Sequence, residues 1–146
     1  MSLVVKGNAS AAVDFQAEAI AVSSPRKFNA RGAFMVTANA SLPSALALMR
    51  YGPGSSGISV SAQSAGPNNI FRVSARVIEI TPSEDPEGSP TSASPVYSCD
   101  SITITPNQRY DWGADVDLDE GFIKIWINNV LVKEHLKGAG KTWNWH

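Results

Sequence analysis

The chain has 146 residues, 12 of them basic and 13 acidic, for a net charge of -1. That is the size of one domain, and the charge balance excludes capture of nucleic acid through its phosphates. Charged residues are only 17% of the chain and a single cysteine is present, so an internal disulfide framework is excluded, and no apolar run approaches the roughly 18 residues of a membrane span.

In chain order, residues 1–10 carry one Lys and an apolar run of three residues, Leu3 to Val5. That is too short for a secretory signal, so the expectation is a chain made in a cytosol. Period-two alternation, the mark of a strand that buries one face, then recurs. In 13–22, Val13, Phe15, Ala17, Ala19 and Ala21 share a side. In 33–40, Phe34, Val36 and Ala38 alternate with Met35, Thr37 and Asn39. Residues 41–50 fit a strand better than a helix, although Ser41 and Pro43 would suit a helix start. Ile58, Val60 and Ala62 oppose Ser59, Ser61 and Gln63. Phe71, Val73, Ala75 and Val77 oppose Arg72, Ser74 and Arg76, and the pattern loses phase near Ile78, where a bulge is expected. Ile102 and Ile104 mark a further short strand. Gly, Pro, Asn and Ser punctuate these runs, as in Ala65-Gly66-Pro67-Asn68-Asn69.

The last third carries the clearest signal. Tyr110, Trp112, Ala114, Val116 and Leu118 lie on one side, with Asp111, Gly113, Asp115 and Asp117 on the other. Asp119-Glu120-Gly121 reads as a turn, Ile123, Ile125 and Ile127 share a face, and Asn128-Asn129 is a two-residue hairpin turn before Val130-Leu131-Val132. A three-stranded antiparallel meander over 110–133 follows. Many short strands with frequent turns predict an all-β antiparallel sandwich. It is expected as one domain over 1–146, with a Pro/Ser-rich loop insertion at 81–98. A loop that long is either an arm that docks on a neighbouring subunit, which is favoured, or a surface loop.

The run from Trp112 through Asp119-Glu120-Gly121 to Trp126, Asn128-Asn129 and Val132 resembles the hairpin of laminin G-like and concanavalin A-like domains. Trp126 holds the aromatic place, and Asn128-Asn129 replaces the usual N-G pair. The resemblance implies a jelly-roll sandwich. Members of that superfamily bind glycans or proteins, and some are glycosidases or polysaccharide lyases. The chain departs from the pattern after the hairpin, where only 134–146 remain. A short final strand at 141–146, the segment 3–6 or a partner subunit would complete the sheet.

Asp111, Asp115, Asp117, Asp119 and Glu120 form the densest polar cluster. A solvated strand face with a turn is the leading reading. Calcium held by Asp115, Asp117 and Asp119 is the alternative, although Glu120 and Trp126 occupy the places of the EF-hand Gly and Glu. A glycosidase pair is the weakest reading, because the Glu-x-Asp-x-x-Glu pattern of the concanavalin-like hydrolases is absent. No G-x-S-x-G elbow occurs, and Cys99 has no nearby His. Trp126 and Phe122 have the parity opposite to the isoleucines, and Trp143 and Trp145 share a side of a terminal strand. These aromatics are read either as platforms for a glycan or protein partner or as cover for a second small core. The expectation is a non-catalytic module of a viral particle, such as a phage capsid-decoration or tail-fibre protein. It would reside in the virion and contact protein subunits as a homo-oligomer, with neither nucleic acid nor membrane as partner and no cofactor beyond calcium. A lectin-like carbohydrate-binding module is the alternative.

Overall fold

The computed structural model describes residues 26–37, 42, 46–51 and 56–145. The alternating segment 13–22 and the segment 3–6 lie outside the described residues. The described chain is all-β and antiparallel. Its strands are β1 (Lys27–Met35), β2 (Leu46–Tyr51), β3 (Gly57–Ala65), β4 (Asn68–Arg76), β5 (Ile78–Thr81), β6 (Thr91–Ala93), β7 (Val96–Ser98), β8 (Ile102–Ile104), β9 (Arg109–Asp117), β10 (Phe122–Ile127), β11 (Val130–Leu136) and β12 (Thr142–Asn144). A four-stranded sheet runs β1-β9-β10-β11, and a second runs β2-β3-β4-β7 with β8 also paired to β4. A third, smaller sheet has the order β12-β5-β6.

Parity explains the core. Tyr110, Trp112, Ala114 and Val116 of β9 and Ile123, Ile125 and Ile127 of β10 turn inward together. They join one buried cluster with Ile58, Val60 and Ala62 of β3 and Phe71, Val73 and Ala75 of β4. Tyr110 stacks on Phe34 and tilts against Phe71, with ring centroids 5.7 and 5.1 Å away. On β1 the inward residues shrink. Gly32 lies directly opposite Trp112, and a Cβ there would sit 2.8 Å from the indole ring. The glycine therefore makes room for one of the two buried tryptophans of the core.

The meander forms as its residues dictate and runs on to Leu136. Asn128 and Asn129 take φ of 50° and 63°, and Gly121 takes 77°, the left-handed values that a tight hairpin turn requires. Residues 46–51 form a strand, as expected. The loss of phase near Ile78 is not a bulge. β4 ends at Arg76, Val77 is fully buried, and β5 leaves for the smaller sheet. Register shifts fall instead between Ile125 and Trp126, where β10 meets β11, and between Ala47 and Met49, where β2 meets β3.

The 81–98 insertion folds back on its own domain rather than reaching out as an arm. β6 pairs with β5 and β7 pairs with β4. Tyr97 then fixes the return by donating its hydroxyl to Glu79, at 3.0 Å. The same buried Glu79 accepts from Lys141 Nζ at 2.7 Å and from Trp143 Nε1 at 2.9 Å. One carboxylate thus ties the insertion and β12 to β5. The hydrogen bonds from Lys141 and Trp143 hold its carboxyl below the ordinary value of 4.5, against the opposing effect of burial.

Candidate functional site

Among the described residues, the outer face of the four-stranded sheet carries a constellation that combines a half-buried aromatic, Trp126, with convergent polar groups. It is built by register. Arg31 of β1 and Trp126 of β10 both lie directly across from Gly113 of β9. Adjacent strands are about 4.8 Å apart, so the row Arg31–Gly113–Trp126 sets two large side chains on either side of a residue with none. The resulting groove has a volume of about 500 Å³ and is lined by Arg31, Gly32, Asp111, Gly113, Trp126 and Asn129. Arg31 lies low across the floor, since a Cβ on Gly113 would fall 2.7–2.8 Å from its side chain.

Asp115, two residues beyond Gly113 on the same face, binds both walls. Its Oδ1 accepts from Arg31 Nη2 at 2.7 Å and its Oδ2 accepts from Trp126 Nε1 at 2.9 Å. The indole is therefore anchored by its polar edge and remains half-buried. Arg31 Nη1 donates to the Ala30 carbonyl at 2.9 Å. At the other end of the groove, Asp111 pairs with Arg109 at 3.0 Å. The Asp111 amide donates to Asn128 Oδ1 at 3.0 Å, which ties the Asn128-Asn129 turn to β9. The groove thus offers an aromatic flank, amide and carboxylate groups, and charges that are each neutralised by a neighbour.

The other residues expected from the sequence do not join this site as a set. Phe122 shares the outer face of β10, but Lys124 Nζ sits 4.6 Å from its ring centroid. Trp143 is fully buried and spends its indole N–H on Glu79, so it is a core residue and not a stacking platform. Trp145 packs edge-on against Phe28, with centroids 6.4 Å apart, as part of the cover over the core.

The calcium reading of Asp115, Asp117 and Asp119 is corrected in the same way. Asp115 and Asp117 are two apart on β9, a span of about 6.8 Å, Asp119 lies in the turn beyond its end, and each of these carboxylates is drawn to its own cation. Arg31 pairs with Asp115, Lys27 with Asp117 and Arg26 with Asp119. Asp117 also accepts from the amides of Asp119 and Glu120, closing the turn. Burial raises its carboxyl, but the Glu120 amide, Lys27 and the Asp119 amide outweigh that and hold it below 3.8. Among the described residues, no group of three His, Cys, Asp or Glu is placed to hold a metal ion.

The sequence pattern gives Arg31 no role and reads Asn129 only as a turn residue, whereas the parity of β9 puts Asp111, Gly113 and Asp115 on one face. No family model matches this chain, and neither a curated protein nor a solved structure does.

Proposed function

We propose that this domain is a non-catalytic binding module for neutral saccharides, with the Trp126 groove as its site. The observation that carries the reading is the anchored indole beside a floor where the Arg31 side chain lies over Gly113. A sugar ring presents an apolar face that stacks on an aromatic and an equatorial rim of hydroxyls that seek planar amide and carboxylate partners. Trp126 supplies the first, and Asp111 and Asn129 supply the second. The carboxylates around the site are held in ion pairs, which suits binding rather than acid–base chemistry. The concanavalin-like jelly roll suggested by the hairpin over 112–132 accords with such a role. Glycan-array and titration binding to wild type and Trp126→Ala test the reading. Loss of binding in the variant supports it, and equal binding by both proteins overturns it.

A second reading has its own observation. Among the described residues, β11 is an edge strand of the four-stranded sheet, and it exposes Val130, Leu131, Val132 and Leu136 at 61%, 41%, 42% and 68%. An open apolar edge invites pairing with another chain. This favours a subunit of an assembly, such as a phage capsid-decoration or tail-fibre protein. Mass measurement in solution tests it. A wild-type oligomer that Val132→Lys dissociates is the expected result, and a wild-type monomer at all concentrations rejects it.

A further inference from the structure

We infer that Asp115 is a positioning residue that sets the charge preference of the groove, so that neutral rings are accepted and uronates are rejected. The ligand class rests on the saccharide reading above, whereas the role of Asp115 rests on its own contacts. Arg31 is the one cation among the described residues that line the groove. Its side chain is 54% exposed, so it would be open to an acidic ligand were it not paired. Asp115 is 21% exposed, sits 2.7 Å from Arg31, and cancels that charge at the groove floor.

The neighbouring charges do not replace it. Lys124, across from Asp115 on β10, turns to Glu134 at 3.6 Å and to the Phe122 ring. Arg109 is taken by Asp111. The same Asp115 carboxylate holds the Trp126 indole, so one side chain fixes the aromatic wall and masks the basic one. A hydrogen bond to a charged group is both shorter and stronger than a neutral one, which holds the indole in place before a ligand arrives.

The consequence is specific. Asp115→Asn keeps the size of the side chain and one acceptor oxygen, but it releases the Arg31 charge. Affinity electrophoresis through neutral polymers (β-glucan, xylan, mannan) and through polygalacturonate reads the effect. Wild type is expected to be retarded by a neutral polymer and to ignore polygalacturonate. Asp115→Asn is expected to bind the neutral polymer roughly tenfold more weakly, the loss of about one charged hydrogen bond. It also gains retardation on polygalacturonate that added salt abolishes. The double variant Asp115→Asn, Arg31→Gln loses that gain.

A purely structural role for Asp115 would not create affinity for an anion. If Asp115→Asn gains nothing on polygalacturonate, the inference fails, whatever happens on the neutral polymers. If wild type binds no neutral polymer, the saccharide reading fails, while the acidic gain still reports on Asp115. Asp115→Ala serves as the second probe of the freed Arg31, and near-ultraviolet circular dichroism verifies that each variant is folded.

Discussion

Replacing Glu79 by Gln tests a buried carboxylate on which three donors converge. Glu79 is 9% exposed and accepts from three donors, Lys141 Nζ, Trp143 Nε1 and Tyr97 OH. Gln has one carbonyl oxygen, so its amide must face a donor whichever way it turns. The cheaper orientation keeps Tyr97 and Trp143 satisfied and turns the amide toward Lys141. Lys141 is 36% exposed and can swing into water. The loss is then one charge-assisted hydrogen bond, roughly 2 kcal/mol, rather than the ~3–5 kcal/mol of a stranded buried charge. For a chain of this size that corresponds to about 4–8 °C in Tm.

The pH dependence has a defined sign. The folded carboxyl lies below its ordinary value of 4.5, so its contribution is complete above that value and is lost as pH falls through the folded pKa. Urea unfolding followed by tryptophan emission, over a pH series, should show the full difference between wild type and variant near neutrality. The gap should start to shrink near the ordinary Glu value and then close, because protonated Glu and Gln are nearly isosteric. Asp117 titrates in the same acid range, but it is present in both proteins and cancels. A variant as stable as wild type at neutral pH, or a gap that persists undiminished in strong acid, refutes the reasoning.

Gly32→Ala should destabilise the fold by about 1–3 kcal/mol in the same urea assay, because the new Cβ would lie 2.8 Å from the buried ring of Trp112; unchanged stability would mean that the ring moves freely. Asn128→Ala loses both a residue suited to φ of 50° and the acceptor for the Asp111 amide, and a drop of about 1–2 kcal/mol is expected. The Tyr97 phenol is pushed up to about 12 by burial, with the Glu79 carboxylate adding to the shift. An ultraviolet titration should therefore find Tyr97 ionising late, and its pKa should fall in the Glu79→Gln variant.

What the sequence disclosed and what it hid divide along a physical line. The inward residues of β9 and β10 are large and apolar, so alternation revealed both strands and their faces. β1 shows no such contrast over its first half, because its inward positions pass from Phe28 through Ala30 to Gly32 to accommodate Trp112 from the strand beside it. The strand was hidden by the side chain that it makes room for. Parity pairs Trp143 with Trp145 but does not reveal that Trp143 is buried, with its indole N–H on Glu79, 64 residues away. Parity assigns a face, and only pairing decides what covers it.

The same division runs through the proposed site itself. Asp115 and Trp126 are 11 residues apart within one hairpin, and the reading of that hairpin placed both on its outer face. Arg31 and Asp115 are 84 residues apart, and no local pattern joins them. The aromatic half of the groove was therefore legible, and the basic half was not. Without Arg31, the aspartates of β9 looked like an unpaired acidic row and drew a calcium reading. With β1 in register beside β9, the acidic row becomes a set of ion pairs. The groove between Arg31 and Trp126 then has no net charge to offer, and this directs the search for its ligand toward neutral sugars.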